Sequence, residues 1–166
     1  MFGPGLDPPT DCYVEALLVS RSATSEVNRV RPKEALSRVE LLQGIPEDAL
    51  DELAQRATSM KLQPGSVMVQ QGNIDSGLGL VLEGSAEVSV NGIPRGTLVA
   101  GDYFGEMSLI DGAPRSATVT AGTEGAKTLT VSPLTFKEVI DTYPAVSRSL
   151  LTHLVARIRS LEEKLG

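Results

Sequence analysis

Apolar residues recur along this chain in two rhythms, three or four residues apart towards its ends and two apart in the middle. From Lys33 the spacing is helical: Ala35, Leu36, Val39 and Leu42, an interruption at Gly44 and Pro46, then Leu50, Leu53 and Ala54. Such recurrence predicts two helices around a turn, each with one apolar face. Between Gly65 and Gly125 the pattern alternates, through Val67 and Val69, then Leu78, Leu80 and Leu82, then Ala86, Val88 and Val90, then Ala117, Val119 and Ala121, with Leu129 and Val131 following. Alternation marks half-buried strands. Twelve of the sixteen glycines lie in this window, so the strands are short and turn often, as in a β-sandwich or barrel. Asn91-Gly92 is the clearest hairpin turn, because both residues tolerate positive φ. Gly77-Leu78-Gly79 lacks the third glycine and the long following helix of a dinucleotide fingerprint and is set aside.

Helical spacing returns at Pro133 with Phe136, Val139 and Ile140, and Pro144 opens a last helix to about Leu165. Within it Leu151, Leu154, Ile158, Leu161 and Leu165 are spaced three, four, three, four, a coiled-coil seam. On that register Arg157 takes position g and Glu162 the following e, so two parallel copies pair them. The seam spans about two heptads, fewer than a sustained coiled coil; the alternative is that it packs on its own barrel as a lid. At the other end Gly3, Pro4, Gly5, Pro8 and Pro9 predict a mobile start. A short helix over Tyr13–Arg21, with Val14, Leu17 and Leu18 on one face, follows. The predicted organisation is an N-terminal extension over 1–33 and one mainly β domain with flanking helices over 34–166. Its barrel covers about 57–132 and its C-terminal helices about 133–165.

Composition narrows the chemistry. A hydrophobic content of 41% with 4% aromatics and no Trp means an aliphatic core. The net charge of −6 counts against direct nucleic-acid binding, which needs basic patches to displace counterions. Arg148, Arg157, Arg159 and Lys164 near the C-terminus read as a solvated helix face. One cysteine, Cys12, and one histidine, His153, exclude an internal disulfide, a cysteine or histidine metal cluster and a conventional triad. A metal-dependent cupin, another small glycine-punctuated barrel, is excluded on the same ground. His153 sits in an apolar helical pattern and reads as a surface or packing residue. No signal peptide and no membrane-spanning run is visible, so a cytoplasmic protein is expected.

The candidate chemistry lies in Gly101 to Thr120, GDYFGEMSLIDGAPRSATVT. Glu106 follows Gly105 at the start of a short helical turn, and Arg115 follows Pro114. Unpaired N–H groups at a helix start, with a glycine that admits close approach, favour an anion such as phosphate. Arg115 adds a planar fork of donors suited to two phosphate oxygens. Glu106 only accepts hydrogen bonds when ionised, so its natural partner is a hydroxyl. Phosphate and hydroxyl on one ligand point to a sugar phosphate or nucleotide. The alternative is a simple ion pair between Glu106 and Arg115 across a loop, which needs neither the glycine, nor the proline, nor the helix between them.

The run FGEMSLIDGAPRSATV resembles the phosphate-binding cassette of the cyclic nucleotide-binding domain family, shared by catabolite-activator-like regulators, regulatory subunits of cyclic-AMP-dependent protein kinase and nucleotide-gated channels. It carries Phe104-Gly105-Glu106 and Pro114-Arg115-Ser116-Ala117 at the family spacing, and VELLQGIPEDALDELAQRA is similar to the family's helical lead-in. The resemblance implies that Glu106 binds the ribose 2′-hydroxyl and Arg115 the cyclic phosphate. It places Gly105, Met107, Ser108, Leu109, Ser116 and Ala117 around them. It implies no catalytic residue and no metal, and a ligand that is cyclic AMP in preference to cyclic GMP, with the C-terminal helix as output element. Asn73 stands where many members carry an acidic residue, and LGLVLEG lacks their aromatic. Leu161 and Glu162 stand where the catabolite activator contacts the base through small hydroxyl residues, which leaves base preference open. Relatives that are transcription factors continue into a helix-turn-helix domain where this chain ends at Gly166, as expected of a stand-alone sensor or a piece of a longer chain. A fold-retaining dimerisation module that binds no nucleotide is the alternative. The downstream partner is not named by these residues.

Overall fold

The computed structural model describes residues 31–74 and 77–165. The predicted mobile start, Cys12 and the expected helix over Tyr13–Arg21 lie outside them. Helix α1 (Pro32–Ser37) opens with proline at its first turn, where a missing N–H costs nothing. A 3-10 turn (Glu40–Leu42) and helix α2 (Glu47–Arg56) follow, with Gly44 in the left-handed region between them. Glu47 and Asp48 occupy the first turn of α2 and Arg56 its last, each complementing the helix dipole. Exposed ion pairs orient the outer layer. Lys33 lies 2.8 Å from Asp51, whose hydrogen bond raises the lysine pKa, and Arg56 bridges Glu52 to Glu138.

Six strands form one antiparallel sheet: β1 (Thr58–Leu62), β2 (Val67–Val69), β3 (Leu78–Val90), β4 (Ile93–Val99), β5 (Tyr103–Phe104) and β6 (Thr118–Val131). The order is β1-β6-β3-β4, with β2 added on β6 and β5 on β3. The two long strands, 13 and 14 residues, serve two halves of a jelly-roll-like sheet. In one half β1 pairs with 126–130 of β6 and β5 with Gly79 and Leu80; in the other β2 pairs with Val119 and Thr120 and β4 with 85–90 of β3. Register between β3 and β6 breaks around Gly84. Gly84 and Gly125 both have positive φ there, and a Cβ on Gly84 would lie 2.2 Å from the Gly125 carbonyl oxygen. Only glycine permits two backbones to approach so closely. The Asn91-Gly92 turn is as predicted, with φ of 52° and 76°.

The alternating residues divide between two cores. Leu78, Leu80, Leu82, Leu129 and Val131 pack with the helices. Val81, Ala86, Val88, Val90, Ala117 and Val119 pack with Leu98 and Phe104 on the inner side. Residues 78–82 of β3 are all buried, because that stretch is covered on both faces. Helix α3 (Glu106–Asp111) interrupts the strand series between β5 and β6. Helix α4 (Pro133–Thr142) is capped by Ser132, whose Oγ accepts from Thr135 N at 3.1 Å, and buries Phe136 and Val139. Helix α5 (Pro144–Leu165) buries Val146 and Leu150 and is tied to the lead-in by Ser149 Oγ, which donates to the Gln43 carbonyl at 2.6 Å.

The expected seam on α5 is only partly an outward stripe. Leu151 and Ile158 are 64% and 56% exposed, but Leu154 is half-buried in a groove between α3, α4 and α5. Val155, absent from the predicted seam, completes the exposed stripe. The side chains of Leu161 and Leu165 lie outside the description.

Phe136 is 1% exposed and Leu134, two residues earlier, 63%. Phe136→Ala should lower the unfolding free energy by about 3–5 kcal/mol. Leu134→Ala should change it by less than about 0.5 kcal/mol. Urea denaturation of both variants checks the assigned face of α4.

Candidate functional site

The site is built where β5 ends. Gly105 follows Phe104 with φ 91° and caps α3. A Cβ there would lie 2.1 Å from Arg115 Nη1 and 2.4 Å from the Gly77 carbonyl oxygen. The glycine is therefore required twice, by its dihedral and by the guanidinium against its backbone. Helix α3 then places Glu106, 1% exposed, and Ser108, 5% exposed, at its start, and closes at Gly112 with φ 69°.

Arg115 arrives from the other side and is 7% exposed. Its backbone is clamped by the turn after β2: Arg115 N donates to Asn73 O at 2.8 Å, and Gly72 N donates to Arg115 O at 2.9 Å. Its side chain donates from Nη2 to the Gly77 carbonyl at 3.1 Å. Gly77-Leu78-Gly79, which carries no dinucleotide fingerprint, thus supplies the carbonyl that orients the guanidinium. Gly79 has a second use. A Cβ on it would lie 2.3 Å from Phe104 Cζ, so the bare glycine makes room for the ring that pairs across from it.

Glu106 and Arg115 line one small pocket, open at its mouth, together with Gly105, Met107, Ser108, Ser116 and Ala117. Of the eight residues expected at the site, the structure brings seven to this pocket. What the resemblance implies for Leu109 is a backbone N–H, and its side chain packs against the helical core. Three apolar walls were not anticipated as site residues: Val69, Phe104 and Val119. Phe104 stands inside the quoted motif, and the alternation of Val67 and Val69 was a usable signal for the facing strand. Beyond Phe104 and Arg115 a wider cleft opens between Met60, Met68 and Thr128.

The arrangement holds a buried fork of N–H donors and a buried carboxylate on a small pocket whose remaining walls are mostly apolar, with Ser108 and Ser116 among them. A guanidinium in such a place favours an oxyanion, and an ionised carboxylate favours hydroxyl donors. Among the described residues no group of three or more His, Cys, Asp or Glu side chains is placed to hold a metal. None of the described helices is long and apolar enough to cross a membrane.

Residues 59–143, just over half the chain, match the family model for the cyclic nucleotide-binding domain. The cAMP-dependent protein kinase regulatory subunit of Yarrowia lipolytica is 37% identical over 91 residues, covering 54% of this chain and 24% of that protein. Among solved structures, the regulatory domain of Toxoplasma gondii PKA with cAMP matches with a TM-score of 0.63 and 27% identity, over 75% of this chain and 48% of that one. The catabolite activator protein of Thermus thermophilus matches with a TM-score of 0.63 and 26% identity, over 76% and 61%. The chain spans between about a tenth and just over a third of the length of the curated relatives it matches. With its pocket formed by the cassette inside the matched span, this chain belongs to the cyclic nucleotide-binding domain family.

Proposed function

We propose that this domain is a non-enzymatic cyclic nucleotide sensor, with cyclic AMP favoured over cyclic GMP. The observation that carries the reading is the pairing of Glu106 and Arg115, both more than nine-tenths buried, on one pocket beside Gly105. Arg115 takes the cyclic phosphate and Glu106 the ribose 2′-hydroxyl, while backbone N–H groups at the start of α3 complete the phosphate's surroundings. Val69, Phe104 and Val119 close the pocket with apolar surface. A simple ion pair has no use for a glycine so tightly packed against the guanidinium. The half-buried Ser116 hydroxyl and the cAMP carried by the Toxoplasma relative favour cyclic AMP.

Ligand binding biases the placement of α5, which borders the same helical layer as α3. The mechanism is a population shift driven by contacts that differ between two arrangements. The exposed stripe Leu151, Val155 and Ile158 is the surface offered to a second copy, continuing the predicted seam towards Leu161 and Leu165. A fold that keeps this stripe but binds no nucleotide is the competing reading, and indifference of thermal stability to cyclic nucleotides would favour it.

Arg115→Ala should weaken cyclic AMP binding by at least ~100-fold, since charged hydrogen bonds contribute about 1.5–3 kcal/mol each. Glu106→Gln should weaken it by about 10-fold on the same scale. Equilibrium binding of a fluorescent cyclic AMP analogue, with circular dichroism as a check on folding, tests both. Arg115→Lys, which keeps the charge and loses the fork, should fall between wild type and alanine. Unchanged affinity in a folded Arg115→Ala protein contradicts the assignment. For the stripe, sedimentation should give a dimer that Val155→Glu converts to a monomer.

A further inference from the structure

Strand β5 is two-sided. Tyr103 and Phe104 are consecutive, so their rings leave the sheet on opposite faces. Phe104 lines the nucleotide pocket, whereas Tyr103, 3% exposed, packs in the helical core. The Tyr103 hydroxyl lies 3.1 Å from His153 Nε2 on α5, with the rings edge to face and their centroids 6.5 Å apart. His153 Nδ1 in turn lies 3.9 Å from Glu40 Oε1 of the 3-10 turn, beyond hydrogen-bond range but close enough for charge to act. The imidazole is largely covered, at 11% side-chain exposure. A hydroxyl from the cassette strand, an imidazole from α5 and a carboxylate from the lead-in thus meet in succession.

Proton placement along this chain is not independent of geometry. A neutral imidazole has one donor and one acceptor. When Nε2 accepts from Tyr103, Nδ1–H is directed to the Glu40 side. A doubly protonated imidazole donates on both sides, so the Tyr103 hydroxyl must then accept and turn its own proton elsewhere. Any shift of β5 that alters the Tyr103–His153 distance changes the balance between the two states. Tyr103 precedes the Gly105 turn by two residues, in a segment pinned through Phe104 and Gly105 to Arg115.

We propose that His153 is a positioning residue that couples the occupied cassette to helix α5 through Tyr103, so that nucleotide binding and the hydrogen bonding of this imidazole are thermodynamically linked. The inference rests on the nucleotide reading of the pocket. Linkage is reciprocal: if nucleotide moves the titration of His153, affinity changes with pH by the same factor across that titration. Ionisable groups facing the ring include Tyr103 from β5 and Glu40 from the 3-10 turn. The range from about pH 5.5 to 8.5 spans the ordinary titration of an imidazole.

His153 is the sole histidine of the chain, so its carbon-bound ring protons are read in solution without assignment ambiguity. The experiment is an NMR titration of those protons from about pH 5.5 to 8.5, without nucleotide and with saturating cyclic AMP, with calorimetric binding measured in parallel. The titration midpoint is expected to differ between the two states, and the cyclic AMP affinity to change by at least ~two-fold across the range. Tyr103→Phe, which removes one oxygen, should still bind cyclic AMP and bring the two midpoints together. His153→Gln, which keeps a donor and an acceptor, should bind with an affinity that no longer varies over this pH range. Coincident midpoints in wild-type protein that calorimetry shows to be occupied would overturn the coupling, as would a difference that survives Tyr103→Phe. Absence of calorimetric binding would instead overturn the nucleotide reading, and the coupling with it.

Discussion

The contact on which the site depends is the one between the Arg115 guanidinium and the bare backbone of Gly105. It leaves no room for any side chain at that position. Burying a guanidinium is costly unless its donors are engaged and its geometry is fixed. Here the Gly77 carbonyl takes one N–H, and the turn at Gly72 and Asn73 holds the arginine's backbone. The turn after β2, the end of β5 and the start of α3 are thereby locked into one unit. Glu106, the next residue after Gly105, is brought into the same pocket as a consequence, so one packing constraint sets the positions of both charges.

That unit needs a rigid frame, and the two long strands provide it. β3 and β6 pair along almost their whole lengths and carry short strands on either side, and the cassette is hung between β5 and β6. The change of register at Gly84, against Gly125, lets the same two strands serve an outer core with the helices and an inner core with the pocket. With no Trp and few aromatics in the chain, Phe104 is the large anchor of the inner core, and Phe136 and Tyr103 are those of the helical one. Phe104 is shared by structure and site: it fills the space left by Gly79 and walls the pocket. Tyr103 beside it faces the helices, so β5 presents one ring to the pocket and the preceding one to His153 of α5.

Much of this was legible in the residues. The periodicity from Lys33 to Leu53, the alternation over 65–125 and the proline starts of α4 and α5 all mark elements that formed, and Asn91-Gly92 marked its hairpin. The cassette was legible because its chemistry is local: Gly105, Glu106 and Arg115 are ten residues apart or fewer. What stayed hidden depends on packing at long sequence separation. An alternating strand announces a buried face but not its partner, so Leu80 and Val88 looked alike although they enter different cores. The stripe of α5 is shifted for the same reason: Val146 and Leu150 anchor the inward face, which leaves Val155 outward and Leu154 at the groove. His153 read as a packing residue, and its partner Tyr103 lies 50 residues earlier, beyond the reach of any periodicity.

The account's central claim is that the pocket between Glu106 and Arg115 recognises a cyclic phosphate and the ribose that carries it. It is tested most directly by calorimetric titration of the protein, freed of co-purifying nucleotide, with cyclic AMP, cyclic GMP and linear AMP. The account predicts saturable binding of a cyclic nucleotide, tightest for cyclic AMP, and at least ~100-fold weaker binding of linear AMP, a loss of roughly 3 kcal/mol. A folded protein that gives no heat of binding with either cyclic form, or that binds linear AMP as tightly, would contradict it.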